Sequence, residues 1–476
     1  MVLPLAREHG VSTKGRGMKE LNIVILVGTN PLPCYLVARQ LIASVHKTPN
    51  LHSYHLWLVH SRDNRTISQA GTTRQAENVR RELVESGALA ADDVSFIGLD
   101  DVTSPSSIRR EVIAQLSDRI EMHRDEPVQI HIDYTGGTKS MGVSLAQVAQ
   151  DLADVAEFTF SYLDARRSIM VFDALRPALY TARFDVPSAG YSVDLRGTIA
   201  LSVSKLLSLH DIIRKSSKQY SFDGEDKEMD LLINSGRIDD LLTLTRSSLR
   251  RFYGGGNEQS PVWEKCAKNV QGYLEKPGSS PEDLTISHTS LYPLFSSPGL
   301  RLLVRSTPDG ALAFRSTFEG CSAKELEHAL EYLDGHWLEN YVYNISHELT
   351  VELGPHADVQ EGVDCRSRFA ANSSAHSDID VAFMNGYQLT AISITTATNR
   401  HICKGKGFEV LLRASQMGGE ESRSVLLTGL PLNDVTGLTE DLKTVSGSLS
   451  DHLLVLGRAD WPRPILSVRL KNHIQA

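Results

Sequence analysis

Leu21–Val27 (LNIVILV) is apolar at every position but Asn22 and stops at Gly28. A run of this kind predicts a strand buried on both faces of a parallel sheet. A helical stretch follows, with Leu36, Leu41 and Val45 among its apolar positions, and then a strand at Tyr54–Val59. Thr72–Ser86 reads as a charged amphipathic helix, Val94–Leu99 as a strand, Ser107–Met122 as a helix and Val128–Ile132 (VQIHI) as a strand. That last strand runs straight into Asp133-Tyr134-Thr135-Gly136-Gly137-Thr138-Lys139, and a helix opens at Ser140. Two further apolar segments lie near Phe158–Leu163 and Ser168–Phe172. The alternation of strand and helix over residues 20–175 predicts a doubly wound, Rossmann-like α/β sheet.

The pattern then changes. Leu-rich helical stretches at Ala200–Ile213 and Met229–Leu249, broken by polar segments, predict a helical connector with a small β element at Leu302–Arg315. A third region starts with a helix over Ser322–Ser346, whose apolar face includes Leu330, Leu333, Trp337, Tyr341 and Ile345. Strands are expected at Glu348–Leu353, Asp358–Cys365 and Ile379–Met384. A type I′ turn at Asn385-Gly386 and a return strand Gln388–Thr395 follow. A helix over Lys404–Met417 and a strand Ser424–Leu427 complete a compact α/β unit. The domains expected are 1–190, 191–320 and 321–476.

The chain has 476 residues, 41% hydrophobic and 22% charged, which excludes a largely disordered protein. Lys plus Arg is 49 against 58 Asp plus Glu, a net charge of −9, so a histone-like basic protein is excluded. Cys34, Cys266, Cys321, Cys365 and Cys403 lie far apart, with neither disulfide-framework nor zinc-ribbon spacing. No apolar run reaches the roughly 18 residues of a membrane span, and the first twenty residues hold no signal-peptide core. A cytoplasmic protein without membrane contact is expected.

The strand-to-helix junction at Thr135–Lys139 has the chemistry of a phosphate or nucleotide cradle. Gly136 and Gly137 permit close backbone approach, and the helix start presents free N–H groups to an anion. Thr135, Thr138 and Ser140 add hydroxyls and Lys139 a positive charge. It is not a P-loop, because GxxxxGK[ST] is absent. A second glycine junction, Gly28-Thr29-Asn30-Pro31, follows the first strand, and Ser61 follows the second. All three fall at strand C-terminal ends, where open α/β sheets bind ligands.

The pairing of VGTNPLP (Val27–Pro33) with DYTGGTKSM (Asp133–Met141) resembles CARF domains, the CRISPR-associated Rossmann folds. The resemblance implies a homodimer that binds a cyclic oligoadenylate; these residues do not set the ring size, and the tetra-adenylate is only slightly favoured over the hexa-adenylate. Gly28, Thr29, Asn30 and Ser61 would contact it from one side, and Thr135, Gly136, Gly137, Thr138, Lys139 and Met141 from the other.

In the last region Asp378 and Asp380 open a strand at i, i+2 spacing and so share one face. Such a pair suits Mg²⁺ or Mn²⁺. The order GHWLENYVY (Gly335–Tyr343), SDIDVAFMNGYQLTAISIT, KGKGFEVLLRASQMGG resembles the PD-(D/E)xK nuclease fold, as joined to CARF domains in ring-activated nucleases. The resemblance implies metal-dependent cleavage of a nucleic-acid substrate, DNA or RNA, within type III CRISPR antiviral defence. Asp378 and Asp380 would hold the metal and Glu339 would support them. The family's Glu-x-Lys is missing: Ser393 replaces the Glu and Thr395 the Lys. Lys404 or Lys406 would supply the cation and Glu409 a further carboxylate. Lys406, Glu409, Arg413 and Gln416 equally read as a plain solvated stripe. His336, His347, His356, His376 and His401 fit no spaced metal pattern, although His376 and His401 flank the site. Three alternatives stand beside the nuclease: a ring-binding regulatory protein with a degenerate nuclease-like domain, a ring nuclease that cleaves its own ligand with help from Lys139, and an ordinary nucleotide-metabolising enzyme.

Overall fold

The all-apolar stretches become central strands in the computed structural model, which describes residues 19–46, 51–63, 70–122, 128–174, 192–214, 222–249, 284–315, 318, 321–367 and 378–476. The chain divides into two compact units, Met1–Leu195 and Arg196–Ala476. Both are mixed α/β.

In the first unit, β1 (Lys19–Leu26), β2 (Leu51–Ser61), β3 (Val94–Leu99), β4 (Val128–Asp133) and β5 (Ala156–Asp164) pair in parallel. Two strands, β6 (Ile169–Ala174) and β7 (Ser192–Asp194), add antiparallel at one edge, giving the order β3-β2-β1-β4-β5-β6-β7. The helices are α1 (Leu32–His46), α2 (Thr73–Glu85), α3 (Pro105–Met122) and α4 (Lys139–Asp151). Ile108, Val112 and Leu116 of α3 and Leu145 and Val148 of α4 share a core with Val24, Leu26, Ile130 and Ile132, closing one face of the sheet. Polar Asn22 sits inside β1 with its Oδ1 accepting the Trp57 indole N–H at 2.9 Å. Strand order reverses between β1 and β4, so the helices that follow these two strands pack on opposite faces of the sheet, the mark of a topological switch point.

The second unit corrects the connector. The helix expected over Ala200–Ile213 covers only Val203–Leu209. The chain then takes a left-handed turn at Asp211 (φ 54°) into β8 (Ile212–Arg214), which pairs with a strand some 150 residues later. The Met229–Leu249 stretch is likewise broken, into Asp223–Asn234 and Ile238–Thr243 with a π-helical turn Leu244–Leu249. Strands β9 (Leu284–Thr285), β10 (Val304–Ser306) and β11 (Leu312–Phe314) form a small antiparallel sheet. Met229, Leu232 and Phe314 share one core with Trp337, Phe383 and Ile392, so this segment packs as part of the second unit.

The main sheet runs β16-β15-β14-β13-β12-β8, with β12 (Ala357–Ser367), β13 (Asp378–Asn385), β14 (Gln388–Ile394), β15 (Arg423–Leu427) and β16 (Leu453–Leu456). Pairing is antiparallel from β8 to β14 and parallel from β14 to β16. The expected strand Glu348–Leu353 is instead the end of the helix Trp337–Leu353, because Leu338, Val342, Ile345 and Leu349 bury one helical face. This helix is separated from Ala323–Glu331 by a kink where Gly335 leaves the helical region. The hairpin turn also shifts by one residue: β13 extends through Asn385, and Gly386 (φ 63°) is the first central residue. Positive φ there alone is the II′ pattern rather than I′. The helices Arg400–Gly418 and Leu432–Ser446 cover the sheet face opposite Trp337. No helix among the described residues is long and apolar enough to cross a membrane.

Candidate functional site

The loops after β1 and β4 interlock. A Cβ on Gly136 would lie 2.1 Å from the Leu26 carbonyl oxygen and 2.8 Å from the Gly28 amide nitrogen. A Cβ on Gly28 would lie 3.2 Å from the Gly137 nitrogen, and Gly137 itself holds φ +73°. The glycines therefore let two backbones touch at the switch point, the requirement that sets glycine at nucleotide-binding turns. Thr138 caps α4, its Oγ1 accepting the Met141 N–H at 3.2 Å. The N–H groups of Lys139 and Ser140 lie in the uncapped remainder of that first turn, and Lys139 is exposed.

The predicted contact residues divide by what they already bond. Thr29, Gly137, Thr138 and Lys139 form the exposed rim, with Gly28 and Asn30 half-buried. Asn30 Oδ1 accepts the Leu32 N–H at 2.9 Å and starts α1. The Ser61 hydroxyl is engaged with Thr72, accepting its N–H at 3.1 Å, while Thr72 Oγ1 bonds the Val27 carbonyl. Thr135 Oγ1 accepts the Leu163 N–H at 2.7 Å and ties the loop to β5. Met141, expected as a ligand contact, is instead buried in the core beneath Gly137.

Beneath this loop runs a buried polar chain that the sequence reading missed. Asp133 Oδ1 accepts the Thr135 N–H at 3.0 Å, and Oδ2 accepts the Ser161 hydroxyl at 2.7 Å. Ser161 Oγ lies 2.8 Å from His131 Nε2, and His131 Nδ1 lies 2.7 Å from Thr159 Oγ1. Burial pushes the Asp133 carboxyl up to about 6, against the lowering effect of its hydrogen bonds from Ser161 and Thr135. Burial also pushes the His131 imidazole down to about 3, so it stays neutral. The visible signal was His131 and Asp133 at i, i+2 in a strand otherwise buried on both faces. Tyr134, by contrast, is 38% exposed and packs against Tyr162 with ring centroids 5.5 Å apart.

In the second unit Asp380 and Ser393 are cross-strand neighbours, since Val381 pairs with Ile392. Asp380 Oδ2 accepts the Ile394 N–H at 2.5 Å and the Ser393 hydroxyl at 3.2 Å. The position where the resemblance would place a Glu thus supplies a donor to Asp380. Side chains alternating with this pair, Val381, Phe383, Ile392 and Ile394, share the core with Trp337 and Tyr341. Asp380 and Ser393 therefore face the helix Arg400–Gly418, and Glu339, in the first turn of Trp337–Leu353, rides on the helix covering the other face. Asp378 opens β13, but its side chain lies outside the described residues, as does His376.

The predicted cations are placed differently from expectation. Lys404 Nζ lies 3.5 Å from Asp441 Oδ2, to which Arg400 also approaches within 2.8 Å, an ion-pair cluster between two helices. Lys406 is half-buried near the Cys403 thiol, while Glu409 and His401 are exposed. Arg413 bonds Gln416 at 3.0 Å, and the stripe is exposed at Glu409 and Gln416 but half-buried at Lys406 and Arg413. Thr395 Oγ1 accepts the Ala397 N–H at 3.2 Å. Unforeseen in the sequence, Arg246 donates to the Thr396 carbonyl and brings a guanidinium to the end of β14.

Mg²⁺ keeps several waters and is held by one or two protein carboxylates, and of the expected pair Asp380 is buried with its Oδ2 bonded to Ser393 and Ile394, while the Asp378 side chain lies outside the described residues. No group of three or more His, Cys, Asp or Glu gathers around a potential metal position among the described residues.

No family model matches the chain, and no curated protein matches it. Among solved structures, protein VC1899 from Vibrio cholerae is similar over 96% of this chain and 98% of its own, at 14% identity and a TM-score of 0.58. That likeness concerns the fold. A UDP-glucose dehydrogenase from Pyrobaculum islandicum aligns at a TM-score of 0.17 and 11% identity, which is no shared fold.

Proposed function

We propose that this chain is a cyclic-oligoadenylate-activated effector of type III CRISPR antiviral defence, acting as a dimer. The first unit senses the ring and the second is a PD-(D/E)xK-like module that cleaves nucleic acid with Mg²⁺ or Mn²⁺. The observation that carries the reading is the interlocking of the Gly28 and Gly136-Gly137 turns at the switch point, with Lys139 and the α4 start beside them. A metal would supply Lewis acidity at the phosphate. Asp380, with Asp378, would hold it, and Ser393 fixes the Asp380 carboxylate in place. Arg246 brings positive charge to the strand end where the family's Lys is absent.

A second reading keeps the sensor and makes the second unit regulatory. It is favoured by the Asp380 oxygen that already receives two hydrogen bonds and by the Lys404–Asp441 pair. Incubation of plasmid, single-stranded DNA and RNA with Mg²⁺ or Mn²⁺, with and without cyclic tetra- or hexa-adenylate, separates the two. Ring-dependent cutting supports the nuclease, and ring binding without cutting of any substrate supports the regulator.

Lys139→Ala removes one exposed charge-assisted contact to a phosphate from each protomer, and is expected to weaken ring binding about tenfold per contact, roughly a hundredfold per ring. Titration at two salt concentrations checks it, because the variant should also bind with a shallower salt dependence.

A further inference from the structure

We propose that Thr159, His131, Ser161 and Asp133 form a proton relay that positions the ligand loop, and that seating an anionic ring on this loop drives a proton onto Asp133. The inference rests on the sensor reading for its ligand, while the relay itself is a property of the chain alone.

The hydrogen-bond geometry allows two fully bonded states. With Asp133 ionised, the Ser161 hydroxyl donates to it, so Ser161 Oγ must accept from His131 Nε2–H. His131 is then the Nε2–H tautomer, and its Nδ1 accepts the Thr159 hydroxyl proton. In the second state every proton has moved one step. Ser161 gives its proton to Asp133 and receives the one from His131 Nε2. His131 Nδ1 receives the Thr159 proton, and Thr159 takes one proton from solvent. Thr159 is 9% exposed, whereas His131, Asp133 and Ser161 are 0% exposed, so it is the end of the chain nearer to water.

The charge is what couples this relay to a ligand. In the sheet Asp133 lies between apolar Ile25 and Ser161. Facing it are the Cys34 thiol of α1, whose pKa burial pushes up to about 12, and His131 of its own strand, held neutral by burial. No Lys or Arg forms an ion pair with it among the described residues. Its carboxylate nevertheless anchors the amide of Thr135, the first residue of the glycine turn. An anion bound at that turn meets an uncompensated negative charge directly below it. Binding therefore raises the affinity of Asp133 for a proton, and the ring binds more tightly as pH falls through the range where Asp133 titrates.

The test joins two readouts on the full chain. Nitrogen-15 NMR of His131 without ligand is expected to show the Nε2–H tautomer at pH 8 and Nδ1–H at pH 5. Asp133→Asn mimics the protonated state, its amide donating to Ser161 and its oxygen accepting from Thr135, and should hold Nδ1–H at both. Calorimetry with cyclic tetra-adenylate, in buffers of different ionisation enthalpy, should show proton uptake by the wild type. Affinity should be about sevenfold weaker at pH 8 than at pH 5.5 for each Asp133 whose pKa is displaced by one unit, and so about fiftyfold for one ring held by two protomers. Asp133→Asn should bind without uptake or pH dependence. Should Asp133→Asn not fold, Ser161→Ala cuts the relay and should leave the His131 tautomer unchanged with pH. An unchanged tautomer in the wild type overturns the relay. Equal pH dependence in wild type and variant overturns the coupling. Absence of ring binding by the wild type at every pH overturns the sensor reading and the coupling with it, while the ligand-free tautomer result still decides the relay.

Discussion

Gly136→Ala is expected to abolish ring binding and to destabilise the first unit by about 1–3 kcal/mol, the cost of forcing an extra methyl into close-packed structure. The added carbon would sit 2.1 Å from the Leu26 carbonyl oxygen and 2.8 Å from the Gly28 nitrogen. Both are backbone atoms of the central strand β1 and the turn after it, so no side-chain rotation relieves the clash. The β4 turn must move away from β1, and the two loops then no longer converge on one ligand. Circular dichroism melting measures the destabilisation, and titration at a temperature where the variant remains folded measures the binding. Wild-type affinity in the variant would mean that the ligand does not depend on this interlock.

The second large effect is expected at Asp380. Asp380→Asn keeps an acceptor for the Ile394 N–H and a polar contact to Ser393, so the fold should stand. It removes the charge that would hold a divalent cation. Ring-dependent cleavage should fall roughly a thousandfold, the rate equivalent of about 4 kcal/mol of lost transition-state stabilisation. Ring affinity in the first unit should not change. Cutting that survives in Asp380→Asn would place the chemistry elsewhere in the chain.

Much of the first unit was legible because its central strands are uninterrupted apolar runs. Val94–Leu99 is as expected, and β1 and β4 differ from their expected bounds by one or two residues. Position along the sheet edge was legible too, since glycine turns that follow buried strands must lie at strand ends. What each polar side chain bonds to was not. Ser61, Thr135 and Met141 have the composition of ligand contacts, yet each is held by a partner distant in sequence or by the core.

In the second unit the failures have a common physical origin in range. The strand β8 has three residues and exists because β12 offers an edge far along the chain. The helix Trp337–Leu353 outruns its expected end because the packing of Leu349 outweighs the local β-like composition of Leu349-Thr350-Val351. Lys404 looked available for catalysis only while Asp441, on the next helix, was out of view. The Ser393 and Thr395 departures were visible in sequence, but the hydrogen bond from Ser393 to Asp380 was not.

The most direct test of the central claim is isothermal titration of the full chain with cyclic tetra- and hexa-adenylate, beside linear oligoadenylate and the Gly136→Ala variant. The account predicts saturable binding of a ring, one per dimer, that linear oligoadenylate does not match and Gly136→Ala loses. Absence of binding by either ring, or binding that Gly136→Ala retains in full, would contradict it.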